Sequence, residues 1–556
     1  MTRRERNTLL LLWFFLGLLP LFVRPLWEPD EGRYAEIPRE MLATGNWLTP
    51  HLNGVLYFEK PPLQYWLSAI SMKFFGLTGA AARLPLALAT GLTIWAAWRL
   101  AKRLGARDPL WAPFMAATGL LAFLVGQLLT LDALFSAFLV AGLAAFVEAV
   151  VSRRQGKAAT GWTLLSFFLL ACAMLTKGLA ERVLVGGIQV FSLAYCWKDV
   201  ELRRAVVRTA LDPLGWLLYL VLVVPWFWAV NQANPGHAQF FFIHEHFTRF
   251  LTHEHAREGS ENWFLDKLYF IGILAVGLLP WLSAAAVGLR RGWAFLGGRG
   301  PQTQDHLGRW IVGFAMLAFA WPLAFFSLSG SKLPPYILPV IVPLVALACT
   351  FERPGEEPAA LRRIGKELLV LGGIFLLGAF LYRHELGGLG WVIALGASFA
   401  VLGVWAHRPK GLTSPRLMVG LGSCLWLLVL AAEAAAGAGK SVATLARTAP
   451  ANAQWISFGV YHQGLPFYAR TRVVVIAGTG ELRYGRDHLA DASRWFSEDP
   501  AALGPMADRL ASEHPERPVL VMAKPEDWKR VPSEEKARWQ EMASSPAALV
   551  LRRKSS

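Results

Sequence analysis

The sequence predicts an α-helical polytopic membrane protein with a small α/β segment at its C-terminus, and three observations carry that reading. Of 556 residues, 54% are hydrophobic and only 17% are charged, whereas a soluble chain carries about a quarter. Apolar runs recur along most of the chain, each near the roughly twenty residues that cross a hydrocarbon core. The 24 Trp and 12% aromatic content suit wide bilayer interfaces. The net charge of +16 is spread over short loops, the mark of a positive-inside bias rather than of nucleic-acid binding. Cys172, Cys196, Cys349 and Cys424 lie in or beside apolar runs without metal or disulfide spacing, and read as packing residues.

Thirteen spans are expected, at 8–25, 80–101, 109–128, 130–152, 161–178, 180–196, 210–230, 263–288, 309–329, 334–350, 366–383, 389–406 and 414–435. The first run follows MTRRERN in the manner of a signal peptide. No small-residue cleavage site follows it, so it is expected to stay as a span anchored by Arg24 to Trp27. With Arg3, Arg4 and Arg6 in the cytoplasm, every even-numbered connection is basic, from Lys102, Arg103 and Arg107 to Arg408, Lys410 and Arg416. Two loops then fall outside: 26–79, too long for a plain connector, and 231–262, rich in His and Glu. The chain divides into a membrane domain, 1–439, whose outer loops form a cleft, and an outer α/β domain, 440–556. In the latter TRVVVIAG, PVLVMA and AALVLRR read as strands, and LADASRWFS, PMADRLASEH and PSEEKARWQEMA as helices.

The first loop opens with WEPDEGRYAEIPREM, five acids and two Arg against a bilayer. A helix from Pro29 makes Asp30 and Arg33 i,i+3 neighbours, with Tyr34, Ile37 and Met41 as a membrane-facing stripe and Pro38 as a kink. An amphipathic helix is expected to lie on the outer surface, polar face upward. Lys60, Lys177, Arg249 and Lys332 break the charge rule on the same side. Interfacial snorkelling suits any one of them, and Lys177 taken by itself reads so, but the four together in their contexts point to an anion site. Lys60 in YFEKPPL and Lys332 in SGSKLPPYILP each precede prolines that favour a helix start, where free N–H groups suit phosphate, and Tyr336 adds a hydroxyl. In FFIHEHFTRFL, Glu245 and Arg249 form an i,i+4 pair beside His246, and a surface ion pair is the plain alternative. His244 and His246 would point apart on a helix, which disfavours joint metal ligation. Asp132 in LLTLDALFS is an ionisable group at the outer end of an apolar run, functional by default, with a helix cap as the alternative.

PDEGRYAEIPREM, HLNGVLYFEKPPLQYW, LTLDALFSA, MLTKGLA, VVPWFWAV, FFIHEHFTRF, LLPW and SKLPPYILP occur in one order between Pro29 and about Pro339. In this the chain resembles the lipid A aminoarabinose (4-amino-4-deoxy-L-arabinose) transferases, relatives of the protein O-mannosyltransferases. The resemblance implies a GT-C glycosyltransferase of the bacterial inner membrane, monomeric and inverting, with its site and C-terminal domain periplasmic. It implies an undecaprenyl phosphate-linked amino sugar as donor, a lipid A phosphate as acceptor, membrane lipids around it, and resistance to polymyxin as the outcome. The implied catalytic residues are Asp30, Lys60 and Asp132. Substrate binding falls to Glu31, Arg33, Tyr57, Glu59, Glu245, His246, Arg249, Lys332 and Tyr336. No cofactor is required, with a zinc or magnesium ion at Glu59 left open. Another polyprenyl-phosphate-sugar transferase is the alternative. A secondary transporter fits less well, because its ionisable groups would sit at the bilayer midplane.

Overall fold

The computed structural model of the chain describes residues 1–248, 263–298, 305–351, 358–408 and 414–554, with side chains 244–248, 263, 264, 414 and 415 left aside. Among the described residues ten helices are long and apolar enough to cross a membrane, and Leu265–Gly277 with Leu282–Leu296, bent by 117°, makes an eleventh if the pair is one span. The two other expected spans are of a different kind. Residues 109–128 form two short helices, Trp111–Thr118 and Leu120–Val125, parted where Gly119 turns extended. Residues 180–196 form an amphipathic helix, Ala180–Ser192, and a 3-10 turn, Leu193–Cys196. Helix Leu131–Arg154 is buried along nearly its whole length, so it is the centre of the bundle rather than a lipid-facing span.

The first loop folds as helix Asp30–Thr44, a hairpin of β1 (His51–Leu52) and β2 (Val55–Leu56), and helix Leu63–Phe75. Here the surface-helix expectation is corrected. Helix Asp30–Thr44 runs through Pro38 without a break, and its residues Glu31 to Met41 are all buried. Most of its polar face is covered by the C-terminal segment that bears a sheet, with Asp30 at the helix start left half-exposed. The two backbones approach so closely that a Cβ on Gly32 would collide with the backbone of Gln463 and Gly464.

That sheet has six strands: β3 (Gln454–Phe458), β4 (Val474–Ile476), β5 (Phe496–Ser497), β6 (Val519–Ala523), β7 (Trp539–Ser544) and β8 (Leu549–Arg553), in the order β5-β4-β3-β6-β8-β7. β3 pairs in parallel with β4 and β6, β4 in parallel with β5, and β8 antiparallel with β6 and β7. Alternate residues face opposite ways. Ile456, Val474 and Val521 pack with Leu503 and Ala507 of helix Leu503–Glu513. Trp455, Val475 and Leu520 pack with Leu52, Val55 and Tyr34 of the first loop. One sheet face is therefore completed by the membrane-proximal part of the chain. Two expected helices are single turns that give way to strand: LADASRWFS holds Ala492–Trp495 before β5, and PSEEKARWQEMA holds Ser533–Lys536 before β7.

A buried ionic knot joins the first loop to the bundle. Glu31, one of the acids assigned to substrate, instead accepts from Arg83 Nε and Nη2 at 2.7 and 2.8 Å and from Arg24 Nη2 at 3.1 Å. It also accepts from the Trp27 and Leu129 N–H groups at 2.8 and 2.9 Å. Its carboxylate is saturated and enclosed, so it is a structural counter-ion. Burial pushes the Glu31 carboxyl up, but Arg83 and then Arg24 bring it down to about 2. Its stabilisation is present above the unfolded carboxyl range and is lost as pH falls through the folded value. Glu31→Ala leaves two guanidinium groups facing each other, and a loss of about 3–5 kcal/mol is expected from thermal unfolding in detergent at neutral pH. The deficit relative to wild type should shrink as pH is lowered from about 4.5 towards 2.

Candidate functional site

Asp30 stands in the first turn of its helix, with a half-exposed carboxylate paired to Arg33 in the expected i,i+3 contact. The Arg33 side chain is 3% exposed and reaches Glu481 of the C-terminal segment as well. Around it lie Tyr34, Tyr57 and Tyr65, all buried, with Tyr34 and Tyr65 stacked at 6.1 Å. Burial pushes all three phenols up, so each stays a hydroxyl donor. The charges of Arg33, Asp30, Glu59 and Asp132 all act on the Tyr34 phenol. Among the described residues Arg33 Nε and the Tyr57 and Tyr65 hydroxyls are buried without a hydrogen-bond partner. Buried donors of this kind are costly unless something polar meets them.

Asp132 opens helix Leu131–Arg154 and pairs with Lys177, the last residue of helix Thr160–Lys177. Lys177 Nζ lies 4.0 Å from the centre of the Tyr336 ring and 5.5 Å from that of Phe135. Lys177 is therefore no snorkelling side chain; it is the counter-ion of Asp132, in a cluster closed by Tyr336. The two helices are consecutive and antiparallel, so the start of one faces the end of the other. That spacing was the available signal for the pair. Lys60 stands three residues before helix Leu63–Phe75, and its Nζ donates to the Glu59 carbonyl at 2.7 Å.

Lys332 is a correction to the reading of a phosphate-facing cation. It is 0% exposed, and its Nζ donates to Asp266 Oδ2 at 2.9 Å and to the Ser329 carbonyl. Its charge is neutralised inside the protein by an acid from helix Trp263–Gly277, which no local pattern flagged. Glu245 and His246 fall in helix Gln239–Thr248, but their side chains, and Arg249 entirely, lie outside the described residues. Among the described residues no three His, Cys, Asp or Glu converge, so Glu59 has no metal donor set there.

Two sets of groups thus meet on the sheet side of the bundle. Asp30, Glu59 and Asp132 supply carboxylates able to hold hydroxyl or ammonium groups; Arg33, Lys60 and Lys177 supply cations able to hold phosphate. Residues 7–242 match the family model described as dolichyl-phosphate-mannose-protein mannosyltransferase. A Pseudomonas aeruginosa protein named undecaprenyl phosphate-alpha-4-amino-4-deoxy-L-arabinose arabinosyl transferase is 33% identical over 522 residues, 92% of this chain and 84% of its own. A like-named protein of Pseudomonas fluorescens is 34% identical over 439 residues, 74% of each chain. Among solved structures, ArnT from Cupriavidus metallidurans bound to undecaprenyl phosphate superposes with a TM-score of 0.75 at 25% identity, covering 100% of this chain and 98% of that one. Its apo form gives 0.74 at 24% identity, with coverage of 99% and 97%. An apolar helical bundle with this site at one end is a membrane-embedded glycosyltransferase of the multi-pass, inner-membrane class. The chain belongs to the undecaprenyl phosphate-α-4-amino-4-deoxy-L-arabinose arabinosyl transferase family.

The unpartnered hydroxyls separate a structural role from a substrate role. Tyr57→Phe removes a group without a hydrogen-bond partner among the described residues, so its thermal unfolding should stay within about 0.5 kcal/mol of wild type. Lys332→Met breaks a buried ion pair and should cost about 3 kcal/mol in the same measurement.

Proposed function

We propose that this protein transfers 4-amino-4-deoxy-L-arabinose from undecaprenyl phosphate to a phosphate of lipid A at the periplasmic face of the inner membrane. The added amine offsets a negative charge, and resistance to polymyxin and other cationic peptides follows. The observation that carries the reading is the likeness to a named arabinosyl transferase over 92% of the chain. The donor half rests further on the full-length superposition with a structure bound to undecaprenyl phosphate. In this reading the N-terminus is cytoplasmic, residues 1–439 form the transferase domain, residues 440–556 form a periplasmic domain, and the protein acts as a monomer.

The chemistry follows from the groups at hand. The bond from the anomeric carbon to the donor phosphate oxygen breaks, and its electron pair leaves with undecaprenyl phosphate. The bond from that carbon to an acceptor phosphate oxygen forms on the opposite face, so configuration inverts. Negative charge grows on the leaving phosphate, and fixed cations aimed at it lower the barrier most. Lys60, Arg33 and Lys177 are those cations, with the Tyr57 hydroxyl as a neutral donor. The acceptor phosphate is already ionised near neutral pH, so it needs positioning and no general base. Asp30 then orients the sugar by pairing with its ammonium, and Asp132 acts through Lys177, holding that amine in place.

A second reading has one observation in its favour: the family model over residues 7–242 is that of protein mannosyltransferases. A hydroxyl acceptor would need a base to take its proton, and Asp30, with its half-exposed carboxylate, would be that base. Mass spectrometry of lipid A decides between the two. Cells carrying the gene should gain a 4-aminopentose on phosphate, and cells with Asp30→Asn or Lys60→Ala should lose at least nine-tenths of it, with their polymyxin resistance, at equal protein level. Undiminished modification in both variants sinks the site assignment. A wild-type gene that adds no aminopentose turns the reading to the hydroxyl-directed class.

A further inference from the structure

A second basic feature lies apart from this site, where the C-terminal segment meets the bundle. A cavity of about 450 Å³ opens there, between the start of span Gly79–Arg103 and the residues that flank β3 and helix Leu465–Ala469. Arg447, Arg470 and Arg517 line it, no acid does, and no candidate site residue borders it. All three guanidinium groups belong to exposed residues. Arg447 lies over the Tyr468 ring at 5.5 Å, and among the described residues the one ion pair of the three is an exposed contact of Arg517 with Glu516 at 3.2 Å. Three like charges around one concavity repel each other unless an anion is shared between them.

The rim shows where that anion comes from. Thr78 caps the N-terminus of Gly79–Arg103, and its hydroxyl accepts from the Ala81 N–H at 3.1 Å, so the positive end of a 25-residue helix faces the cavity wall. Just before it, helix Leu63–Phe75 ends in Lys73, Phe74 and Phe75, with the two Phe 77% and 69% exposed. Two adjacent exposed Phe next to the start of an apolar span are a lipid-immersed edge, and Lys73 beside them stands at headgroup level. The cavity wall at Leu77, Thr78 and Gly79 follows these two Phe directly in the chain, which suits an opening near the boundary between hydrocarbon and water. Arg470 has a left-handed backbone, φ 56°, at the end of its helix, a position that glycine fills more readily.

From the three-arginine cavity at the lipid-immersed edge, we infer a second anion site that binds the phosphate headgroup of a membrane lipid in the leaflet on the sheet side. The inference does not depend on the transfer reaction. Such a lipid clamps the C-terminal sheet to the membrane surface through Arg447, Arg470 and Arg517 while Phe74 and Phe75 meet its chains.

The test uses the full-length protein in detergent, titrated with dioleoyl phosphatidylglycerol, dioleoyl phosphatidylcholine or inorganic phosphate and read by native mass spectrometry. Each basic group near a membrane surface contributes enough that Arg447→Gln/Arg470→Gln/Arg517→Gln should weaken phosphatidylglycerol binding on the order of a hundredfold. Phosphatidylcholine binding should not change, and the triple Lys variant should recover most of the loss. If the triple Gln variant proves unstable by thermal unfolding, Arg447→Gln and Arg470→Gln are titrated singly, with roughly a fivefold loss expected for each. Equal phosphatidylglycerol binding in wild type and Gln variants overturns the site. Inorganic phosphate that displaces the lipid at comparable concentration shows a free-anion site and overturns the lipid reading.

Discussion

The rest of the structure depends on two guanidinium groups sharing one buried carboxylate. Arg24 follows the first span, Glu31 lies in the first-loop helix, and Arg83 lies near the start of the second span; their side chains are 5%, 2% and 0% exposed. Three segments that diverge in the chain are thereby held at one point. The surplus positive charge is spread over backbone oxygens: Arg83 donates to the Arg24 and Pro25 carbonyls at 2.8 and 2.7 Å, and Arg24 to that of Gln127 at 2.6 Å. This knot fixes the start of helix Asp30–Thr44 against the first two spans, and with it the placement of Asp30 and Arg33 beside Glu31.

The C-terminal sheet then closes over that helix. Glu28 accepts from the Gly464 N–H at 2.7 Å and contacts His462 Nδ1 at 3.2 Å, and Asn53 exchanges two 2.9 Å hydrogen bonds with the Val473 backbone. Asn53 pairs as a strand residue would, its amide standing in for a peptide group. Together with the apolar contacts of Trp455 and Val475, these bonds make the first loop and the sheet a single packed unit. The sheet is short of a second covering layer on that face, and the loop supplies it.

The membrane-length helices were legible because apolar length is a local property that needs no partner. Residues 109–128 kept the composition of a span but not its continuity, since the backbone turns extended at Gly119 and composition does not report such a break. β7 was illegible for the opposite reason: an edge strand with an exposed, polar pattern carries no alternation, and WQEMAS reads equally well as helix. At the site, Asp30 with Arg33, and Lys60 with Glu59, were visible because the members are neighbours in the chain. The acids of WEPDEGRYAEIPREM stood out, yet their roles could not be sorted by eye. Glu31 meets Arg83 across 52 residues, and Arg33 meets Glu481 across 448. Only the fold separates the acid that holds the structure from the acid that faces the cleft.

Arg33 joins both worlds. One end of its guanidinium holds Asp30 and the other holds Glu481, so the site and the sheet draw on a single cation. In the proposed reading, a ligand that engages that cation is coupled to the seating of Glu481, and the coupling is reciprocal. The C-terminal segment would then take part in ligand affinity, although it contributes none of the carboxylates or amines assigned to the chemistry.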